Sequence, residues 1–221
     1  MGMRTARLSA CAVAYMAFGH LAHACSTALV LAIDVSNSID PAEYRIQTDG
    51  LADALLDSEI REALVAGNVA VSVVQWSGVG SQEVTFPWIR IQSDADVLAL
   101  SERARAMPRA FIMSDTAVGD IISFAASLFR EVQDCKRTVI DISGDGTDNA
   151  GTNPSAARSR AQRTGIQING LAIEGIGLSI TNFYRRHVIT QDGFVMTART
   201  HSDYADTLKR KIRREVSQVM F

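Results

Sequence analysis

Apolar runs of strand length alternate with stretches of helical period from Ala28 to the end of the chain, and that alternation leaves few folds open. Ala28–Asp34 is a continuous apolar run closed by an acid, the pattern of a central strand covered on both faces. Pro41 to Val65 reads as one helix, with Tyr44, Ile46, Leu51, Ala54, Leu55 and Leu64 at helical spacing and Pro41 suited to the first turn. Gly67-Asn68 ends it. Val69–Trp76 reads as a strand, Gly78–Gly80 as a turn and Glu83–Ile91 as the returning strand of a hairpin. Trp76 and Trp88 bracket that hairpin and read as core or edge packing.

Helices are expected over Ser93–Ala106, capped by Ser93 and Asp96, and over Thr116–Val132. A strand at Arg137–Ser143 leads into a Gly-, Asp- and Asn-rich loop. Then come a helix at Pro154–Arg163, a strand at Ile166–Ile173, a short helix at Phe183–Ile189, a strand at Phe194–Ala198 and a last helix at Ser202–Met220. The fold class that follows is α/β: a doubly wound, mostly parallel sheet with one antiparallel edge strand and helices on both faces. Its 221 residues suit one such domain plus a targeting segment.

Residues 1–24 read as an export signal. Arg4 and Arg7 precede an apolar run from Leu8 to Leu21, and Ala22-His23-Ala24 has the form of a cleavage site. The run is short for a membrane span. Cleavage leaves a domain of residues 25–221, periplasmic or secreted. Lipid anchoring at Cys25 is the lesser reading, because Ala22-His23 fits a lipoprotein signal poorly. Cys25 and Cys135 each stand just ahead of a strand, so parallel neighbours would put both at one end of the sheet. In an exported protein that favours a disulfide over two buried thiols. A net charge of −2 gives no reason to expect nucleic acid or an anionic membrane as partner.

Ligands of such sheets bind beyond the carboxyl ends of the strands. There Asp34-Val35-Ser36-Asn37-Ser38 follows the first strand, Ser143-Gly144-Asp145-Gly146 follows the central one, and Thr116 opens a helix between them. Each has a duller reading as a helix cap or a turn, but five such groups at one edge point to shared use. All are hard oxygen donors, suited to Mg²⁺, Mn²⁺ or Ca²⁺, whereas zinc prefers nitrogen and sulfur. His187 and His201 are distant from these loops in sequence, which argues against a histidine zinc site. Two carboxylates can at most neutralise a divalent ion, so the natural further ligand is a carboxylate from another molecule.

Asp34-x-Ser36-x-Ser38, Thr116 in Thr-Ala-Val-Gly and Asp145 in Ser-Gly-Asp-Gly together resemble the metal-ion-dependent adhesion site (MIDAS) of von Willebrand factor A (vWA) domains. Leu29–Gly50, Gln75–Ile89 and Cys135–Gly151 extend the resemblance to a group of exported bacterial proteins built on this domain. It implies a Rossmann-like vWA fold, with Ser36, Ser38 and Thr116 coordinating the ion by their hydroxyls and Asp34 and Asp145 acting directly or through water. It further implies a non-enzymatic module that binds Glu or Asp of a protein partner through a divalent cation, Mg²⁺ first. Asn37 and Asp115 depart from the usual pattern, and Asp115 would add negative charge near the ion. The rival reading is a metal-dependent phosphoesterase with Asp34 as nucleophile or ligand. Against it, no second aspartate stands two residues on, where Ser36 is, and no phosphate loop, nucleophile elbow or adjacent base is evident.

Two further segments carry weaker expectations. Lys209–Arg214 reads as a solvated basic face, and Tyr184–His187, after the fifth strand, as a loop that could flank the site.

Overall fold

The computed structural model describes residues 24–112 and 114–217. Six strands form one sheet in the order β3-β2-β1-β4-β5-β6: β1 (Thr27–Asp34), β2 (Ala70–Trp76), β3 (Gln82–Arg90), β4 (Arg137–Gly144), β5 (Ile166–Ile173) and β6 (Val195–Ala198). All neighbours are parallel except β2 and β3, which form the hairpin expected from the sequence.

Side chains alternate between the two faces of each strand. On β1, Leu29, Leu31 and Ile33 enter a core with α1 (Pro41–Leu55), α2 (Ser58–Ala66), α3 (Asp94–Arg105) and α7 (Tyr204–Ser217). Val30 and Ala32 enter the opposite core with α4 (Val118–Leu128), α5 (Pro154–Arg163) and α6 (Ser179–Phe183). Both faces are covered, which is why β1 is apolar throughout Ala28–Ile33. Trp76 is fully buried, and Trp88 packs on Phe129 while donating to the Leu128 carbonyl.

Several boundaries differ from those read in the sequence. The stretch read as one helix from Pro41 to Val65 is two, α1 and α2. The break falls at Leu56-Asp57, where the Asp57 carboxylate accepts the N–H groups of Glu59 and Ile60 and starts a new helix. The helix expected from Thr116 begins at Val118, leaving Thr116 in the preceding loop, and it ends in a 3₁₀ turn at Phe129–Glu131. The helix expected at Phe183–Ile189 starts earlier, at Ser179, and widens into a π turn over Tyr184–Val188.

The basic run is not a uniformly solvated face. Lys211 is fully buried, ion-paired with Asp141 of β4 and, at 2.7 Å, with Glu215. Lys209 and Arg213 pair with Asp57, tying α7 to the start of α2. The end of the last helix expected at Met220, and residues 1–23 of the expected signal, lie outside the described residues.

Cys25 and Cys135 are joined in a disulfide across 110 residues of sequence, with Cα atoms 4.4 Å apart. They stand ahead of β1 and β4, at the end of the sheet opposite the loops considered next. In the chain-entropy account such a long loop constrains the unfolded state by about 4–5 kcal/mol.

Candidate metal centre

Register puts the ends of β1 and β4 side by side: Ile33 pairs with Ser143, so Asp34 and Gly144 finish at one level. Asp34 is fully buried, and its Oδ1 accepts the Ser36 N–H at 2.8 Å, which curls the chain back over the strand end. The turn sets Ser36 Oγ 3.3 Å from Ser38 Oγ, and Ser38 Oγ donates to Asp145 Oδ1 at 2.5 Å. Two strand ends are thereby joined by a chain of oxygens. Thr116 comes from a third segment and lies across Gly146, its Oγ1 3.5 Å from where a Cβ there would sit.

Thr116 is placed by the loop after β4. Its N–H donates to Asn149 Oδ1 at 2.8 Å, and its carbonyl accepts the Asn149 N–H at 3.0 Å. Asp148 Oδ1 accepts the Val118 N–H at 2.9 Å and so caps α4 from a distant loop, which Ala117 cannot do itself. Gly119 allows the closeness: a Cβ there would lie 1.8 Å from the Thr152 carbonyl oxygen. The loop after β1 is held equally firmly. Arg109 donates to the carbonyls of Val35 and Ser36 at 2.9 Å each, and the Asn37 N–H meets the Ser114 carbonyl at 3.1 Å.

The electrostatics are those of an unbalanced anion pair. Burial pushes the Asp34 carboxyl up to about 7 against the opposing hydrogen bonds from Ser36, and Asp145 adds to the rise. Burial also raises Asp145, partly offset by Ser38 and His201. Asp34 Oδ2 is buried and has no hydrogen-bond partner. Among the described residues no Lys or Arg is ion-paired with either acid. His201 Nε2 is 3.9 Å from Asp145 Oδ2, while its Nδ1 is 2.9 Å from Glu43 Oε1. The histidine read as remote from the site is therefore beside it, brought in by the turn before α7, and a titratable group does stand next to Asp145.

Tyr184 is buried against the same point. A Cβ on Gly144 would be 2.7 Å from its hydroxyl and 2.8 Å from Asp34 Oδ2, so the missing side chain opens a slot shared by two unpartnered oxygens. Burial, then Asp34 and Asp145, hold this phenol well above its ordinary pKa. Of the segment read as a flanking loop, only Tyr184 turns to the site. His187 bonds to Ser155, and the Arg186 carbonyl to Arg158.

The structure thus joins Asp34, Ser36, Ser38 and Asp145 in one contact chain with Thr116 beside Gly146. Sequence reasoning placed Tyr184 in a flanking segment and missed Arg109, Asp148, Asn149 and His201. The Gly-Thr-Asp-Asn stretch after Asp145 carried a readable loop signal for Asp148 and Asn149; nothing local marked the others.

A family model described as Protein of unknown function (DUF1194) matches residues 24–220. The chain belongs to the DUF1194 family. No curated protein sequence matches this DUF1194 chain. Among solved structures, proximal thread matrix protein 1 from the mussel byssus is similar over 86% of this chain and 47% of its own (TM-score 0.65, 18% identity). The DUF1194 chain thus spans about half the length of that relative. The pilus adhesin SpaC from Lactobacillus rhamnosus GG is similar over 88% of this chain and 30% of its own (TM-score 0.62, 12% identity). The SpRpn10 VWA domain matches over 82% and 94% (TM-score 0.57, 15% identity). At these identities the likeness is one of fold, and the fold is that of a vWA domain. One structure of the mussel protein has a zinc-occupied MIDAS motif (TM-score 0.64, 16% identity, 87% and 46% covered), so the expectation that such a site turns zinc away does not hold for that protein.

Proposed function

We propose that this protein is an exported binding module in which a divalent cation, held by Asp34, Ser36, Ser38, Thr116 and Asp145, captures a Glu or Asp side chain of a protein partner. One observation carries the reading: Asp34 Oδ2 is buried and partnerless beside a second raised carboxyl, with no Lys or Arg among the described residues paired to either. The bound ion would neutralise the two acids and offer an incoming carboxylate an electrophilic coordination position. Three hydroxyls add donors without adding charge. Mg²⁺ is the first choice because every donor is a hard oxygen, and the zinc-occupied MIDAS of the mussel protein supports a divalent ion in this fold.

Residues 1–24 are assigned as a cleaved signal and 25–221 as the mature domain. The disulfide occupies the Cys25 thiol that a lipid anchor would need, which supports a soluble periplasmic or secreted product. Among the described residues no helix is long and apolar enough to cross a membrane.

Titration of the chelated protein with Mn²⁺, followed by electron paramagnetic resonance, is expected to reveal one site per chain that Ser36→Ala/Ser38→Ala removes. Capture of an acidic partner should occur in magnesium and vanish in chelator; capture indifferent to chelator defeats the reading. Phosphoester turnover that disappears in Asp34→Asn would replace it with the hydrolase.

A further inference from the structure

Six large apolar side chains are exposed among the described residues: Leu56, Val79, Leu98, Ile112, Ile176 and Leu178. Leu56 and Leu98 line a groove beside α3, away from the oxygen cluster. The other four all lie on segments at the carboxyl edge of the sheet, two on each side of the candidate metal centre.

Val79 (64% exposed) tips the β2–β3 turn, and Ile112 (76% exposed) lies in the segment before α4. The turn that carries Val79 and the segment that follows Ile112 meet at Ser114, whose Oγ accepts the Gly78 N–H at 3.1 Å and whose carbonyl accepts the N–H of Asn37 in the metal loop. On the other side Ile176 (99% exposed) and Leu178 (52% exposed) follow β5, whose Ala172 is in register with Gly144 of β4. The Glu174 carboxylate fixes the base of that loop by accepting the N–H groups of Ile180 and Thr181. Ile176 stands between Gly175 and Gly177, so no neighbouring side chain shields it.

A single exposed leucine needs no explanation, but apolar groups gathered around one site mark an interaction surface. None of the four contributes appreciably to a core, so packing does not account for them. Charge complementarity defines the centre of what they fit: a bound divalent ion between two acids takes a carboxylate. A freely solvated acidic tail would satisfy the ion and leave all four apolar side chains wet.

We propose that the site recognises an acidic residue set within an apolar segment of a protein partner, with Val79 and Ile112 seating one flank and Ile176 and Leu178 the other. The proposal rests on the metal-dependent binding inferred above and adds the class of sequence recognised.

The test uses a phage-displayed peptide library with a fixed central Glu and randomised flanks, selected on the mature protein in magnesium and again in chelator. Binders should appear in magnesium alone and carry Leu, Ile, Val or Phe beside the Glu. A synthetic peptide from that pool should lose about a hundredfold in affinity on Ile176→Ser/Leu178→Ser, the loss of two apolar side chains buried against it, while Mn²⁺ titration stays unchanged. Metal-dependent binders with polar or charged flanks, or no binders, overturn the proposal. So does binding of phosphatidylglycerol vesicles in magnesium that the double substitution abolishes, since the apolar loops would then serve lipid. Failure of Mn²⁺ binding itself marks the different case in which the metal site is wrong.

Discussion

Beneath α7, Asp141 and Glu215 share the ammonium of Lys211, all three fully or nearly fully buried. Asn169 Nδ2 donates to Glu215 Oε1 at 2.8 Å, which completes that cluster. At the edge of the same sheet Asp34 and Asp145 are also withdrawn from water, but among the described residues neither is paired with Lys or Arg, and His201, 3.9 Å from Asp145, is engaged by Glu43. In the first cluster burial works against the Lys211 charge, yet Asp141 and Glu215 hold its pKa above the ordinary value; burial and Asp141 also push the Glu215 carboxyl up to about 8, against the opposing pull of Lys211. In the second, nothing comparable offsets burial, and both carboxyls rise. One region holds its own buried cation. The other lacks a counter-charge that the solution must supply.

The largest effect expected from this contrast is on the Lys211 cluster. Lys211→Met should strand two buried acids and cost about 3–5 kcal/mol of stability in denaturant unfolding, with metal affinity retained in the folded fraction. A loss under 1 kcal/mol would mean that the two regions are not different in kind. Asp34→Asn should behave in the opposite way. Magnesium affinity falls at least about a hundredfold, close to 3 kcal/mol, while the metal-free protein is as stable as wild type or more so. Calorimetric titration and thermal unfolding in chelator check the two halves.

Proton linkage gives a third contrast. The native Asp34 carboxyl, at about 7, keeps a proton that the unfolded chain releases near its ordinary value of 3.8. The native state therefore binds more protons between those limits, and stability in chelator should fall as pH rises from 4 to 7, by about 3 kcal/mol. Magnesium should remove that fall, and its affinity should weaken about tenfold per pH unit below 7 as the proton competes. A flat stability profile in chelator would erase the distinction. The smallest effect belongs to Tyr184→Phe: it empties the slot beside Asp34 Oδ2 of its hydroxyl and should change metal affinity by about threefold, near 0.6 kcal/mol, with little change in Tm.

The strands and the four directly linked site residues were legible because their signals are local. β1 carries six consecutive apolar positions, Ala28–Ile33, as a strand covered on both faces does, and Asp34, Ser36 and Ser38 come within one turn of them. Asp145 directly follows β4, the strand that pairs with β1, so strand alternation alone brings it to the same edge. His201 was not legible, because only the path of the chain between β6 and α7 returns it to Asp145. Lys211 sits in a run of cations that sequence presents as solvent-facing, and only the acid on β4 explains its burial. The break at Asp57 was hidden because Leu55 and Leu64 keep helical spacing across it, while the cap and its Lys209 and Arg213 partners are tertiary.

The Cys25–Cys135 bond also bears on what becomes of the amino terminus. Once residues 1–24 are removed, as proposed, the new terminus is itself one end of the sulfur bridge and stays fastened to the start of β4. β1 and β4, the two middle strands, are thereby pinned together at the end opposite Asp34 and Gly144, so fraying of the terminus would not reach the metal loops.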